Sequence, residues 1–216
     1  MYRFYYPLSC SRPMRSPNEI MAGLSIRCAA SLGLALAVLR DLGMARARAL
    51  QVSLVVTLRS VPQLVVLYLI YFGLGQIGID VNSILAAIVA LGITDAAFVA
   101  EYYRAGFMTV PSTQREAGLS LGLSRLGVLW WVVIPQVVPF VVPPLLNAFV
   151  GLLKTATLAA AVGAPEVLYR AQNEMNRSGR ITLVVAAVIL LYVGVTMPLT
   201  RVVAILERRV RSRARV

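Results

Sequence analysis

The stretch that decides the fold is VPSTQREAGLSLGLSRLGVLWWVVIP, residues 110–135. Its local signals predict a short helix, a tight turn and a second helix. Thr113 and Glu116 have the spacing of a capping box, in which a hydroxyl and a carboxylate bond the free amides of a helix's first turn. Gly122 favours the left-handed conformation that ends a helix, and Ser124 is suited to cap the next one. The segment therefore predicts a compact knob whose backbone is internally satisfied.

The composition around this segment is that of a membrane protein. Of 216 residues, 59% are apolar and 14% are charged, whereas soluble domains average about 45–50% and about 25%. The mean hydropathy is +0.78, so one anchor or signal peptide cannot account for the apolar excess. Because lipid satisfies no backbone polar group, the spans must be helices.

Segments of roughly 20 apolar residues are long enough to cross a bilayer. We predict an all-α integral membrane protein with about five transmembrane helices. The segments are Ile20–Leu39, Val61–Ile79, Ile84 to about Tyr102, about Gln136 to Leu153 with an apolar continuation to Val162, and Ile181–Leu199. Pro135 predicts a break or kink at the start of the fourth. The predicted divisions are an irregular tail (1–17), a transmembrane domain (18–209, with the loop at about 110–135) and a basic tail (210–216).

The arginines predict the orientation. They are concentrated in the connection Arg40–Arg59, in the 110–135 loop and after the last span, and are sparser in the other connections. Since cytoplasmic connections carry an excess of Lys and Arg, we expect the N-terminus outside and the C-terminus inside. Because these arginines lie between apolar runs, the net charge of +12 indicates membrane topology and not nucleic-acid binding.

Several chemistries are excluded. The chain has no histidine, which removes His-based triads and HExxH zinc sites. Its only lysine, Lys154, follows Leu153, whereas a phosphate-binding P-loop needs Gly-Lys-Ser/Thr. Cys10 and Cys28 are spaced unlike any metal motif. We therefore expect no catalytic residue, no metal and no cofactor on this chain, and any nucleotide must be handled by a partner.

The knob contains a motif that resembles a known family. Its residues resemble the EAA loop of ABC-transporter permeases, E-A-A-x3-G-x9-I-x-L-P, with the spacing intact. Gly118 stands where the family has its second alanine. The matching positions are Glu116, Ala117, Gly122, Ile134 and Pro135.

Four further motifs, two before the knob and two after it, occur in the family's order. They are similar to motifs of its polar amino-acid uptake branch, the histidine/glutamine/glutamate permease-like proteins. RSVP at 59–62 resembles R-G-T-P, and EYYRAG at 101–106 resembles E-x-x-R-G-G. LKTATL at 153–158 resembles L-K-D-T-S-L, with Thr155 in place of Asp, and GAPEVL at 163–168 resembles G-V-P-E-L.

The resemblance implies a MetI-like permease of an ABC importer in a bacterial inner membrane, moving a polar amino acid or related small solute. It implies a cytoplasmic ATPase dimer that holds ATP-Mg, a second permease copy or paralogue, an extracytoplasmic solute-binding protein, and contact with membrane lipid. The ATPase-coupling residues would be Thr113, Glu116, Ala117, Gly118, Gly122, Ser124 and Pro135.

Polar residues inside the spans are candidates for the solute path. Lys154, Thr155 and Thr157 follow a long apolar run, where freed backbone groups are tolerable only beside protein or water. The alternative is that the lysine stem snorkels to the interface. Asn147 and Gln63 either bond a solute or join two helices, and the sequence does not distinguish these.

Two rival functions remain open at this stage. One is an ABC permease for another small solute. The other is an ion-coupled secondary transporter in which Asp95, Glu101 and Lys154 serve ion coupling. Glu101 and Arg104 are three residues apart on one helix face, so we expect them to pair.

Overall fold

The computed structural model describes residues 17–41 and 45–213, which are helical almost throughout and contain no strand. The predicted irregular tail lies outside the described residues except for Pro17, which begins α1. The described helices are α1 (Pro17–Asp41), α2 (Ala45–Ser60), α3 (Gln63–Gln76), α4 (Ser83–Phe107), α5 (Ser112–Ser120), α6 (Arg125–Val128), α7 (Ile134–Thr155), α8 (Val167–Ser178) and α9 (Ile181–Arg213). A π-helical segment, Leu129–Val133, joins α6 to α7, and a 3₁₀ segment, Ala156–Val162, follows α7.

Four helical stretches are long and apolar enough to cross a membrane. They are Pro17–Leu39, Ser83–Phe107, Arg125–Val162 and Ile181–Val210, and they contain four of the five predicted spans. The predicted all-α membrane class is confirmed. The last helix extends beyond the predicted Leu199, so residues 210–213 of the predicted basic tail continue α9.

The second predicted span, Val61–Ile79, is helical over Gln63–Gln76, but it is the second half of a bent pair of helices. The stretches Val52–Ser60 and Gln63–Gln76 meet at an angle of 96°. Pro62 disfavours helical geometry at the residue before it, which accounts for the break. At 1.5 Å per residue α3 is about 21 Å long, so it crosses a hydrocarbon core of about 30 Å together with the end of α2, the two forming one bent span. Helix α2 also occupies most of the connection Arg40–Arg59.

Helix α4 is the centre of the bundle. Its small residues Ala86, Ala87 and Ala90 are fully buried in a cluster that α1, α3, the end of α7 and the 3₁₀ segment all join. A Cβ at Gly33 of α1 would lie 2.8 Å from a methyl carbon of Val99. Small residues thus let the helix backbones approach closely, as is usual in membrane bundles.

Candidate functional site

The helix–turn–helix predicted at 110–135 is present, but its first helix starts differently from the prediction. Helix α5 begins at Ser112, and Pro111 occupies the N-cap position without any side-chain cap bond. The proline ring fixes φ, observed at −59°, so the backbone sets the helix start. Thr113 and Glu116 therefore lie two residues too far into the helix to form the predicted capping box. Both side chains are exposed.

The turn is a Schellman motif, as the glycine predicted. Gly122 has φ +83°. Its amide donates to the carbonyl of Leu119 at 2.9 Å, and the amide of Leu123 donates to the carbonyl of Gly118 at 3.2 Å. These two bonds satisfy the last carbonyls of α5 and fix the reversal of the chain.

The second helix starts as predicted. The Ser124 hydroxyl accepts a hydrogen bond from the Gly127 amide at 3.1 Å. The helix then passes through the π-helical segment into α7, so of the break or kink predicted at Pro135 the break is absent. Pro135 lacks an amide hydrogen, and the wider π turn beside it keeps the chain helical where regular α bonds are interrupted.

Gly118 holds the two helices together. It is buried, and a Cβ there would lie 2.9 Å from a methyl carbon of Val128. The glycine that departs from the family's alanine is therefore the point where α5 approaches α6 closely.

Two polar contacts tie the knob to the membrane helices. Arg115 donates from Nη2 to the Phe107 carbonyl at the end of α4, at 2.9 Å. Gln136 donates from Nε2 to Gln114 Oε1 at 2.7 Å and to the Val132 carbonyl at 2.8 Å. The knob is thus connected directly to α4 and α7, so a force on it moves both helices.

The surface of the knob combines exposed apolar side chains with one carboxylate. In and beside the turn, Leu119, Leu121 and Leu126 are 45%, 84% and 51% exposed. The Glu116 carboxylate makes no hydrogen bond within the described ranges. Exposed leucines on a well-ordered segment are typical of a protein interface. We call Glu116, Leu119, Leu121 and Leu126 the knob surface.

The predicted path residues lie at the other end of α7. Lys154 is exposed. The hydroxyl of Thr155 donates to backbone carbonyls at 3.4 and 3.5 Å, and that of Thr157 donates to the Lys154 carbonyl at 2.7 Å. At 1.5 Å per residue, Lys154 is about 29 Å along the helix from Pro135. The structure therefore separates the coupling and path candidates by the thickness of the membrane.

Two of the three ionisable residues that the rival transporter would use, Asp95 and Glu101, are engaged. Asp95 accepts a hydrogen bond from Gln63 Nε2 at 2.7 Å, which joins α4 to α3 beside the helix break. Glu101 and Arg104 form the expected ion pair at 2.6 Å. The Arg59 guanidinium lies 4.7 Å from the ring centre of Phe98.

A buried polar cluster was missed by the sequence reasoning. Glu166 is fully buried, accepts from the Tyr169 amide at 2.6 Å and caps α8. Its other oxygen accepts from Asn18 Nδ2 at 3.0 Å. Asn18 also donates to the Tyr192 hydroxyl at 3.0 Å and accepts from the Val167 amide at 3.1 Å. We call this the Asn18–Glu166 corner; it joins the first turn of α1, the start of α8 and α9.

The described residues offer no metal site. Among them, no three His, Cys, Asp or Glu side chains are grouped so that they could hold a metal ion. Cys28 is a free thiol on α1, whereas Cys10 lies outside the described residues.

Comparison with known proteins points to one family. Residues 29–212 match the model of the family described as "Binding-protein-dependent transport system inner membrane component". The chain is 33% identical over 178 residues to the probable glutamine ABC transporter permease protein GlnM of Bacillus subtilis, covering 82% of each protein. It is 38% identical over 149 residues to the probable amino-acid ABC transporter permease protein PatM of Vibrio harveyi, covering 67% of this chain and 66% of PatM.

Solved structures agree with this match. A crystal structure of an amino acid ABC transporter with histidines superposes with a TM-score of 0.80, at 28% identity, over 89% of this chain and 90% of that one. The MetNI methionine ABC transporter in an inward-facing conformation shares the fold, with a TM-score of 0.72 at 23% identity over 90% of this chain and 93% of that one.

Proposed function

Because this chain belongs to the family of inner-membrane components of binding-protein-dependent transport systems, it is the permease of an ATP-driven importer, and we propose that its solute is a polar amino acid or a related small molecule. The amino-acid assignment is supported by the relatives, which are named as glutamine and amino-acid permeases. The chain is a multi-pass protein of a bacterial inner membrane. It works with an ATPase, which is a separate subunit, and with a solute-binding protein.

The ATPase docks on the knob surface. This is the observation that carries the proposal: three exposed leucines and an unbonded carboxylate lie on a segment that Gly118, Gly122 and Ser124 make rigid. Thr113, Ala117 and Pro135 are exposed in the same segment. Because Arg115 and Gln136 connect the knob to α4 and α7, movement of the ATPase is transmitted to both helices.

Two copies of the chain, or this chain and a paralogue, enclose the solute path with two ATPase subunits beneath them. The N-terminus is outside and the C-terminus inside, which places the knob in the cytoplasm and Lys154, Thr155 and Thr157 towards the outer side. The binding protein delivers solute there. Lipid surrounds the exposed apolar faces, and the chain binds no nucleic acid.

Transport requires two states of the permease that differ in their affinity for the solute and in the side of the membrane to which the path opens. ATP-Mg is held by the ATPase, and this chain contributes no bond-breaking group. Closure of the ATPase dimer favours one state and opening favours the other, so the solute meets the two sides of the membrane in turn. The knob is the element through which the ATPase shifts the populations of the two states of the membrane helices.

The test of docking is a charge placed on the knob surface. Leu121→Asp is expected to abolish co-purification of the ATPase and ATP-dependent uptake, because a carboxylate at the centre of an apolar interface is desolvated without a partner. Gln172→Asp is the matched control, since Gln172 is also exposed but lies on α8, far from the knob. Normal co-purification of the ATPase with Leu121→Asp would contradict the proposal.

Uptake also separates the rival functions. An importer of this kind stops when ATP is depleted, whereas an ion-coupled transporter continues while an ion gradient persists. A permease for another solute is distinguished by assaying ATPase activity with each common L-amino acid: stimulation by none of them would contradict the amino-acid assignment alone.

A further inference from the structure

Helices α7 and α9 enclose a groove of about 420 Å³ that the proposed coupling and path residues do not explain. Its polar and proline residues are Pro143, Pro144 and Asn147 on α7 and Thr200 and Glu207 on α9.

The α7 side of the groove contains backbone carbonyls without regular partners. Pro143 and Pro144 have no amide hydrogen, so the carbonyls of Pro139 and Phe140 lose the donors four residues ahead. For Phe140 the residue three ahead is also a proline, which removes the usual 3₁₀ substitute. Non-helical or freed backbone groups at membrane depth are tolerated where they meet protein or a water-filled cavity.

Asn147 stands one turn further along the same face. Its side chain is exposed and makes no hydrogen bond within the described part of the chain. Gln63 differs, because its amide bonds Asp95 and joins two helices. The structure therefore separates the two interpretations that the sequence left open for these residues: Gln63 holds helices together and Asn147 does not. A free amide is costly in hydrocarbon, so Asn147 faces water or a polar solute.

We infer that this groove is a hydrated binding site on the solute path, where Asn147 and the carbonyl of Phe140 bind the ammonium end of the solute. The inference rests on the proposed function and adds a binding site to it. The argument for an ammonium group is chemical: carbonyl and amide oxygens accept hydrogen bonds, an ammonium donates three, and it accepts none.

Hydration is tested by thiol labelling, which needs no transport activity. Asn147→Cys and Val142→Cys are made in a chain with Cys10 and Cys28 replaced by serine, and the assembled complex in membrane vesicles is treated with a cationic, membrane-impermeant thiol reagent. Val142 is the matched control, since it is 39% exposed on α7 but does not line the groove. Because the cysteine thiolate is the species that attacks such reagents, and the thiolate forms only where the thiol meets water, Asn147→Cys is expected to react at least about tenfold faster. Equal rates would overturn the inference and indicate that lipid or the second permease covers Asn147.

Recognition is tested by uptake of radiolabelled L-glutamine or L-histidine, whichever the wild-type complex accumulates. Asn147→Leu is expected to lower uptake about tenfold, the effect of losing one hydrogen bond to a charged group. Asn147→Asp keeps an acceptor and retains uptake, whereas Asn147→Lys repels the ammonium and abolishes it. Val142→Leu leaves uptake unchanged.

The outcomes separate the two proposals. A wild-type complex that accumulates neither amino acid contradicts the proposed solute class. A wild-type complex that transports, together with equal uptake by the Asp and Lys variants, contradicts only the ammonium site. If Asn147→Leu fails to assemble, the comparison of the Asp and Lys variants still tests the ammonium site.

Discussion

The knob and the Asn18–Glu166 corner each contain a helix whose first turn is capped by a side chain, yet the two caps do different work. Ser124 bonds an amide three residues away, and its surroundings are exposed. Glu166 also bonds an amide three residues away, but it is fully buried and is held by Asn18, 148 positions earlier in the chain. The knob is shaped by local bonds that leave its surface free for a partner, whereas the corner binds distant helices to one another.

The largest expected effect is at the corner. Glu166→Ala leaves the Tyr169 amide and the Asn18 amide without their buried acceptor, so it should lower the free energy of unfolding by about 3 kcal/mol. The measurement is thermal unfolding of the purified chain in detergent.

A double-mutant cycle sharpens this prediction. If the corner acts as one unit, Asn18→Ala combined with Glu166→Ala costs clearly less than the sum of the two single changes. Additive costs would mean that the Asn18–Glu166 bond contributes little and that the comparison between the two regions is mistaken.

A smaller effect is expected at the turn of the knob. Gly122→Ala forces a side chain into the left-handed region and should cost about 1–2 kcal/mol locally, which weakens co-purification of the ATPase. Gly151→Ala is the control: a Cβ meets nothing within 4 Å at either position, but only Gly122 has a positive φ. Equal behaviour of the two variants would show that the left-handed turn is not required.

The smallest effect separates the two proposed caps of the knob. Ser124→Ala should cost about 1 kcal/mol because it removes a cap bond. Thr113→Ala should cost almost nothing, since α5 has no side-chain cap. Protection of the α5 and α6 amides in hydrogen exchange measures both. Loss of α5 protection in Thr113→Ala would contradict this and show that Thr113 caps α5 as the sequence predicted.

The sequence was informative where the determining contacts are local. Apolar runs located four spans, and Gly122 and Ser124 located the turn and the second cap. The error at Thr113 and the unpredicted bend before Gln63 share one physical cause: Pro111 and Pro62 control the backbone beside them more strongly than the side-chain patterns around them.

Contacts between distant helices were beyond sequence reasoning. Glu166 was noted only as part of a motif, and nothing near it in the chain indicates that Asn18 and Tyr192 are its neighbours. Asn147 could be separated from Gln63 only once α7 and α9 were seen to enclose a groove. Hydrophobic patterns identify which residues enter the membrane but not which helices meet there.

The most direct test of the account is whether the ATPase touches the tip of the knob. Leu121→Cys, in a chain with Cys10 and Cys28 replaced by serine, is treated with a short bifunctional thiol cross-linker in membranes that contain the native partners. The account predicts an adduct with a P-loop ATPase, identified by mass spectrometry, and no such adduct from Gln172→Cys on α8. An ATPase adduct from Gln172→Cys and none from Leu121→Cys would contradict it.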